Sequence, residues 1–153
     1  MKVVLIFCAF SLVSTQLTAK ADERITFGVG LGHSYSGLGA NLGYQTEESF
    51  TYLSAGCVGY STLKGSTCGA GIGWVTTALS QGDNHHGIGA YAGVVGVEQG
   101  VFDNEAVYGA AITYHYFFNT IAEPGFNLGF SVAGGTVESE FELVPLISFG
   151  YQF

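Results

Sequence analysis

The chain reads as an all-β protein, an eight-stranded antiparallel up-and-down transmembrane β-barrel, on three observations. Glycine supplies 24 of 153 residues and proline only two, a density that would cost a helix about 1 kcal/mol at every glycine. Apolar residues recur at every second position along most of the chain, the period of a strand with two different faces. Mean hydropathy is +0.36 while charged residues make up 10%, too apolar for an ordinary soluble domain. Yet no run after the first 21 residues approaches the ~20 apolar residues of a membrane helix. Hydropathy spread thinly over alternating segments is how a transmembrane barrel presents itself.

The strands follow in order. Ile25, Phe27, Val29 and Leu31 alternate with Thr26, Gly28, Gly30 and Gly32 in a first strand over 24–33. Leu38, Ala40, Leu42 and Tyr44 alternate with Gly37, Gly39, Asn41 and Gly43 in a second over 37–45. A third is expected over 49–60, a fourth over 68–78, a fifth over 86–97 and a sixth over 106–118. Phe126, Leu128, Phe130 and Val132 mark a seventh over 126–137, and the eighth runs over 141–153. Lengths near ten residues suit the ~9–11 of a tilted membrane strand, and eight is the smallest bacterial barrel. Most charges fall in the connections: Glu47, Glu48, Lys64, Asp83, Asp103, Glu105, Glu123, Glu138 and Glu140.

Residues 1–21 have the pattern of a secretory signal peptide. Lys2 is followed by an apolar run over 3–13 broken only by Ser11, and Ala19-Lys20-Ala21 offers the small-x-small site that places cleavage before Asp22. Cys8 lies in that run and would leave with it. Residues 22–153 would then form one barrel domain, with Arg24 and Lys64 as its only Lys or Arg against twelve acidic residues. So acidic a chain has no electrostatic footprint for nucleic acid.

The last strand carries the most specific pattern. Ile147, Phe149 and Tyr151 alternate up to a final Phe153, which resembles the C-terminal signal that outer-membrane barrels present to the barrel-assembly machinery. With the leader and the eight segments, the chain is similar to the small bacterial outer-membrane barrels of the OmpA/OmpX type. That resemblance implies residence in a Gram-negative outer membrane among phospholipid and lipopolysaccharide, with both termini periplasmic. Loops at 33–36, 61–67, 98–104 and 138–140 would then face outside, and turns at 46–48, 79–85 and 119–125 the periplasm. Two features depart from the group: the loops are short, and the lumen is nearly free of charge. Tyr44, Tyr108, Tyr114, Tyr116, Phe117, Phe118, Phe149, Tyr151 and Phe153 fall near strand ends, where interfacial aromatic girdles sit.

Cys57 and Cys68 flank the third hairpin and lie opposite each other if its turn centres on Thr62 and Leu63. An oxidising route favours a disulfide over two reduced cysteines. If Cys57 and Cys68 share the outward face with Ile72 and Trp74, then Leu53 and Ala55 face outward too, and Tyr52, Ser54, Gly56, Val58 and Tyr60 point inward. The glycines of strands one, two, four and five would also point inward, leaving room for Tyr52, Tyr60 and Tyr91 to fill the lumen, small beside large. The expectation is a packed interior without a continuous pore. A glycine-lined cavity for a small solute or an acyl chain is the competing reading.

Candidate chemistry is sparse. Gly-x-Gly repeats lie within strands, with none of the strand-to-helix turns that a phosphate loop needs. Asp83, His85 and His86 carry metal-competent groups, but adjacent histidines on one turn do not converge, and a solvated turn is expected. His115 is placed facing the lumen or rim. Barrel enzymes that trim or add lipid A acyl chains use a His with a Ser and a carboxylate; here Phe117 stands where a His-x-Ser pattern would require serine. No catalytic residue, metal site or cofactor is therefore expected. The sequence points to a non-enzymatic outer-membrane barrel with a structural or surface role, the alternatives being a lipid A-modifying enzyme or a narrow, porin-like pore.

Overall fold

The computed structural model describes residues 24–61, 65–80, 84–99, 104–137 and 140–153; the expected leader and its cleavage site lie outside them. Eight strands, β1 (Arg24–Gly32), β2 (Gly37–Gln45), β3 (Ser49–Ser61), β4 (Gly65–Thr76), β5 (His86–Gln99), β6 (Asn104–Phe117), β7 (Gly125–Val137) and β8 (Glu140–Gln152), follow one another around a closed barrel. Every neighbouring pair is antiparallel. The all-β, up-and-down reading of the sequence therefore holds, with β3 to β6 and β8 reaching further into the expected loops.

Closure comes from β1 and β8, paired from Gly28↔Gln152 to Leu31↔Phe149. Beyond the ladder, the Phe153 amide donates to the Phe27 carbonyl at 2.8 Å, and the Thr26 hydroxyl donates to the Phe153 carbonyl at 2.6 Å. The terminal aromatic is thus tied by its backbone across the seam while its ring lies outside, against Phe27 and Tyr151.

The alternation sorts side chains by face. Ile25, Leu42, Leu53, Ile72, Ile112 and Ile147 stand exposed on the outer surface, whereas Thr26, Asn41, Ser54, Thr113, Asn127 and Ser148 are buried inside. The described charged residues sit at or near strand ends, from Arg24 at the start of β1 to Glu98 and Glu105 near the tip of β5–β6 and Glu142 near the start of β8. An uncharged belt lies between. An outer wall of large apolar side chains over an interior that mixes polar and apolar groups is unlike an ordinary domain, whose large apolar side chains go mostly inside.

Two expectations need correction. Tyr60 does not fill the lumen: it is 69% exposed. A bulge between Cys57 and Gly59 inserts one residue into β3 opposite β4. Because strand faces alternate, one extra residue exchanges the faces of everything beyond it. Gly59 consequently pairs with inward Thr67, and Tyr60 with exposed Ser66. Phe117 is likewise not a girdle residue. It is buried, sharing the inner face of β6 with Thr113 and His115.

Cys57 and Cys68 are directly paired across β3–β4 and joined by a disulfide. The bridge closes a loop of sequence separation 11, which in the chain-entropy account is worth about 2–3 kcal/mol. Replacing both cysteines by serine is expected to lower the unfolding free energy of the refolded barrel by that amount, read from the urea midpoint at unchanged slope. An unchanged midpoint would show that the bridge contributes nothing to stability.

Candidate functional site

The first connection is the feature that sequence reasoning missed. Residues 33–36 do not project from the barrel: His33, Ser34, Tyr35 and Ser36 are 3%, 2%, 0% and 0% exposed. A 3-10 turn over His33–Tyr35 folds this segment down into the lumen as an internal plug. The reversal needs positive φ at Gly32 (99°), Ser36 (55°) and Gly37 (102°), which glycine adopts without steric cost and serine only with some. The glycines at each end also permit close approach. A Cβ at Gly32 would stand 2.2 Å from the Ile147 carbonyl oxygen, and one at Gly37 would stand 2.3 Å from that of Cys57.

Tyr35 is the body of the plug. Its ring lies against Gly30 and Gly150, and its carbonyl oxygen against Gly39 and Gly56, each so close that a Cβ would clash at 2.3–2.6 Å. Tyr91 occupies the same kind of bed over Gly71 and Gly93, and Tyr52 over Gly73. Both Tyr52 and Tyr91 are buried at 2% exposure. A wall without side chains on its inner face lets a narrow barrel hold three aromatic rings.

A polar network ties the plug to the wall. The Tyr35 hydroxyl and the Asn127 amide contact each other at 3.0 and 3.2 Å. Ser36 Oγ lies 2.8 Å from Ser54 Oγ and 3.2 Å from the Tyr91 hydroxyl, and the Asn41 amide donates to the Ser34 carbonyl at 3.2 Å. His33 is held on both ring nitrogens, Nε2 at 3.2 Å from Ser34 Oγ and Nδ1 at 3.3 Å from Ser131 Oγ. Ser34 Oγ also meets Ser148 Oγ at 3.0 Å. His115 stacks edge-on with His33 at 5.7 Å between ring centres.

Chemically, Ser34 and His33 have the spacing of a nucleophile and its base. The base, however, is oriented by a serine hydroxyl, and among the described residues every buried polar side chain is uncharged. Ser34 itself is sealed beneath the barrel mouth. The arrangement is that of a strut: Tyr35 and His33 bridge the plug to β7, Ser34 to β8, and Ser36 to β3 and β5. His115 lies in the lumen, not at the rim, and Phe117 packs beside it at 6.0 Å.

The remaining histidines serve the turns at the terminal end. His85 Nδ1 meets the Phe117 carbonyl at 2.8 Å, and His86 Nδ1 meets the Tyr114 hydroxyl at 2.5 Å. Neighbouring Asn84 links the other turns, donating to the Glu47 carbonyl at 3.1 Å and accepting from the Thr77 hydroxyl at 3.1 Å. Among the described residues no three His, Cys, Asp or Glu side chains converge as a metal site; Asp83 lies outside them. Ile121, from the turn before β7, is wholly buried with Phe50, Val75 and Phe117. This apolar cluster fills the terminal end of the lumen below the polar plug.

On the outside, Phe126 stacks on Phe149 at 5.5 Å and meets Tyr151 edge-on at 5.0 Å, and Tyr151 meets Phe153 at 4.8 Å. The residues of the expected C-terminal signal therefore form one aromatic strip with β7. Compared with family models, with curated proteins and with solved structures, the chain matches none.

The fit of Tyr35 against Gly150 generates a thermodynamic test. A Cβ at Gly150 would lie 2.4 Å from Tyr35 Cζ and its hydroxyl oxygen, so Gly150→Val is expected to cost about 1–3 kcal/mol by overpacking. Tyr35→Ala should cost about 3–5 kcal/mol by leaving a cavity. In the double variant the two losses should fall well short of additive, because each removes the other's clash or void. Additive losses in a urea-denaturation cycle would show that the ring does not rest on Gly150.

Proposed function

We propose that this chain is an integral outer-membrane β-barrel whose role is structural or surface-exposed and non-catalytic. The observation that carries this reading is the inverted distribution of polarity. Ile25, Leu53, Ile112 and Ile147 are 63–77% exposed around the outer wall, while the interior holds serines, asparagines and imidazoles. In water such a surface would be an association hazard; in a bilayer it is the required one, with the backbone satisfied by closure.

Signal-directed export, recognition of the strand ending in Phe149, Tyr151 and Phe153 by the barrel-assembly machinery, and contact with phospholipid and lipopolysaccharide belong to the same proposal. The filled lumen favours a barrel that does not conduct. Tyr35, Tyr52 and Tyr91 occupy its middle, and Phe50, Val75, Phe117 and Ile121 its terminal end. The sealed Ser34–His33 pair, lacking a buried carboxylate among the described residues, favours the non-catalytic reading over lipid A acyl chemistry.

Two measurements test the proposal. Expressed with its leader in a Gram-negative host, the protein should be recovered only from detergent-solubilised outer membranes and should change gel mobility on boiling. Recovery as a detergent-free periplasmic monomer would refute it. In planar bilayers the wild-type barrel should give no discrete channel steps, and the lipid A mass spectrum should be the same with and without the gene. Steady unitary currents would instead establish a pore, and a changed acyl pattern an enzyme.

A further inference from the structure

The inward fold of the first turn has a consequence for the barrel wall. β1 and β2 stop at Gly32 and Gly37, and their outer neighbours run past them. β3 leaves its last β2 partner at Cys57 and continues to Ser61; β8 leaves its last β1 partner at Phe149 and extends back to Glu140. The hairpins β3–β4, β5–β6 and β7–β8 stay paired to their tips at Ser61↔Gly65, Gln99↔Asn104 and Val137↔Glu140. The wall is therefore low over β1–β2. The missing height beside β3 alone is four residues, roughly 13 Å at ~3.3 Å per residue.

Behind this notch lies a cavity of about 370 Å³, within the ~300–1,000 Å³ of small-molecule sites. Its floor is His33 of the plug, its back wall Val94, Val95 and Val97, and its sides Val58 and Leu146. The bulge in β5 between Val94 and Gly96 makes the back wall apolar, because the extra residue lets both Val94 and Val95 be buried. A second cavity of about 300 Å³ shares Val95, Gly96 and Val97 and reaches Val107, Ala133 and Val144. Among the described residues, His33 is the ionisable group that lines the first cavity and Glu142 the one that lines the second. Aliphatic side chains make up most of both linings, which favours an occupant with an apolar segment.

The identity of that occupant comes from where the notch leads. Ile147 belongs to the cavity lining and is also 63% exposed on the outer wall. On the two strands beneath the notch, Leu31 and Leu38 pair with each other and are exposed at 56% and 54%. Leu31, Leu38 and Ile147 thus bring the outer apolar belt up to the low wall, and Ile147 and Val58 carry the aliphatic surface on into the cup. We propose that the cup above the plug is a lateral binding site for one acyl chain of a surrounding lipid, which enters over the β1–β2 hairpin with its headgroup outside the barrel. The site rests on the membrane reading given above, since only a bilayer places acyl chains against Ile147.

The test is a set of intermolecular nuclear Overhauser effects between methyl-labelled protein and protonated phospholipid in nanodiscs, which report contacts within a few ångströms. Ile72 and Ile112 on the outer belt serve as positive controls and fully buried Val75 as the negative one. Contacts from acyl methylene protons are expected at Ile72 and Ile112, and equally at Val95 and Val107. Val58→Phe, which fills the cup from its side, should abolish those at Val95 while leaving those at Ile72. Belt contacts without cup contacts, or water contacts alone at Val95 and Val107, would overturn the site and leave the membrane reading intact. Absence of acyl contacts at Ile72 and Ile112 would overturn both readings, whereas acyl contacts at Val95 that survive Val58→Phe unchanged would overturn the cup alone.

Discussion

Closure of the sheet upon itself, which leaves neither β1 nor β8 as a free edge along the middle of the barrel, governs this molecule. In the bilayer setting proposed above, a strand with an apolar outer face would have no solvent to satisfy an open edge, so eight of them would be stable together only as a ring. The ring closes on the fewest paired residues at β1–β8, four from Gly28 to Leu31. The closure is reinforced there by side chains and by the chain end. Thr26 binds the Phe153 carbonyl and is itself bound by the Gln152 amide at 3.0 Å. The C-terminal residues thereby act as a clasp on the inside, and the rings of Phe149, Tyr151 and Phe153 as an aromatic strip on the outside.

A ring of eight strands leaves an interior only wide enough for side chains, and its contents follow from that width. Glycine on the inner face appears where a tyrosine ring or the plug backbone presses against the wall, as at Gly30, Gly73 and Gly150. Removing a side chain from one strand makes room for a large one from another. The polar atoms carried inward are then matched across strands: Asn127 with Tyr35, Ser54 with Ser36, Ser131 with His33. A low-dielectric interior rewards such matching, and it fixes the plug in one position. The barrel is layered as a result, apolar around Ile121 at the terminal end, polar around the plug, and apolar again around Val95.

The plug also links packing to function. Chain that would have extended the first hairpin is spent inside the lumen, so the same fold-in that fills the middle of the barrel lowers its wall. A filled channel and a side notch are therefore two results of one local event, the positive-φ reversal at Gly32, Ser36 and Gly37. The same event thus underlies both proposals, a barrel closed to axial conduction and a lateral cup at its rim.

By itself, the sequence was sufficient for strand number, strand order, the outward face of most strands and the Cys57–Cys68 pairing. Strand number, order and faces follow from a period-two pattern; the cysteine pairing is read from a turn centred on Thr62 and Leu63, and it holds because the bulge offsets the tip pairing of Ser61 with Gly65. Tyr60 shows where that logic stops. A bulge adds one residue with no compositional mark, and parity beyond it reverses. Phe117 shows the opposite case, since strict alternation from Thr113 would have placed it inside, and only its nearness to the strand end suggested a girdle. The plug was beyond such reasoning altogether. His33-Ser34-Tyr35-Ser36 has the composition of a short exposed loop, and what draws it inward is space that exists only once glycines on β1, β2, β3 and β8 are brought around it. Local periodicity carries information about faces, whereas the filling of an enclosed volume depends on all eight strands at once, and so tertiary structure alone decided it.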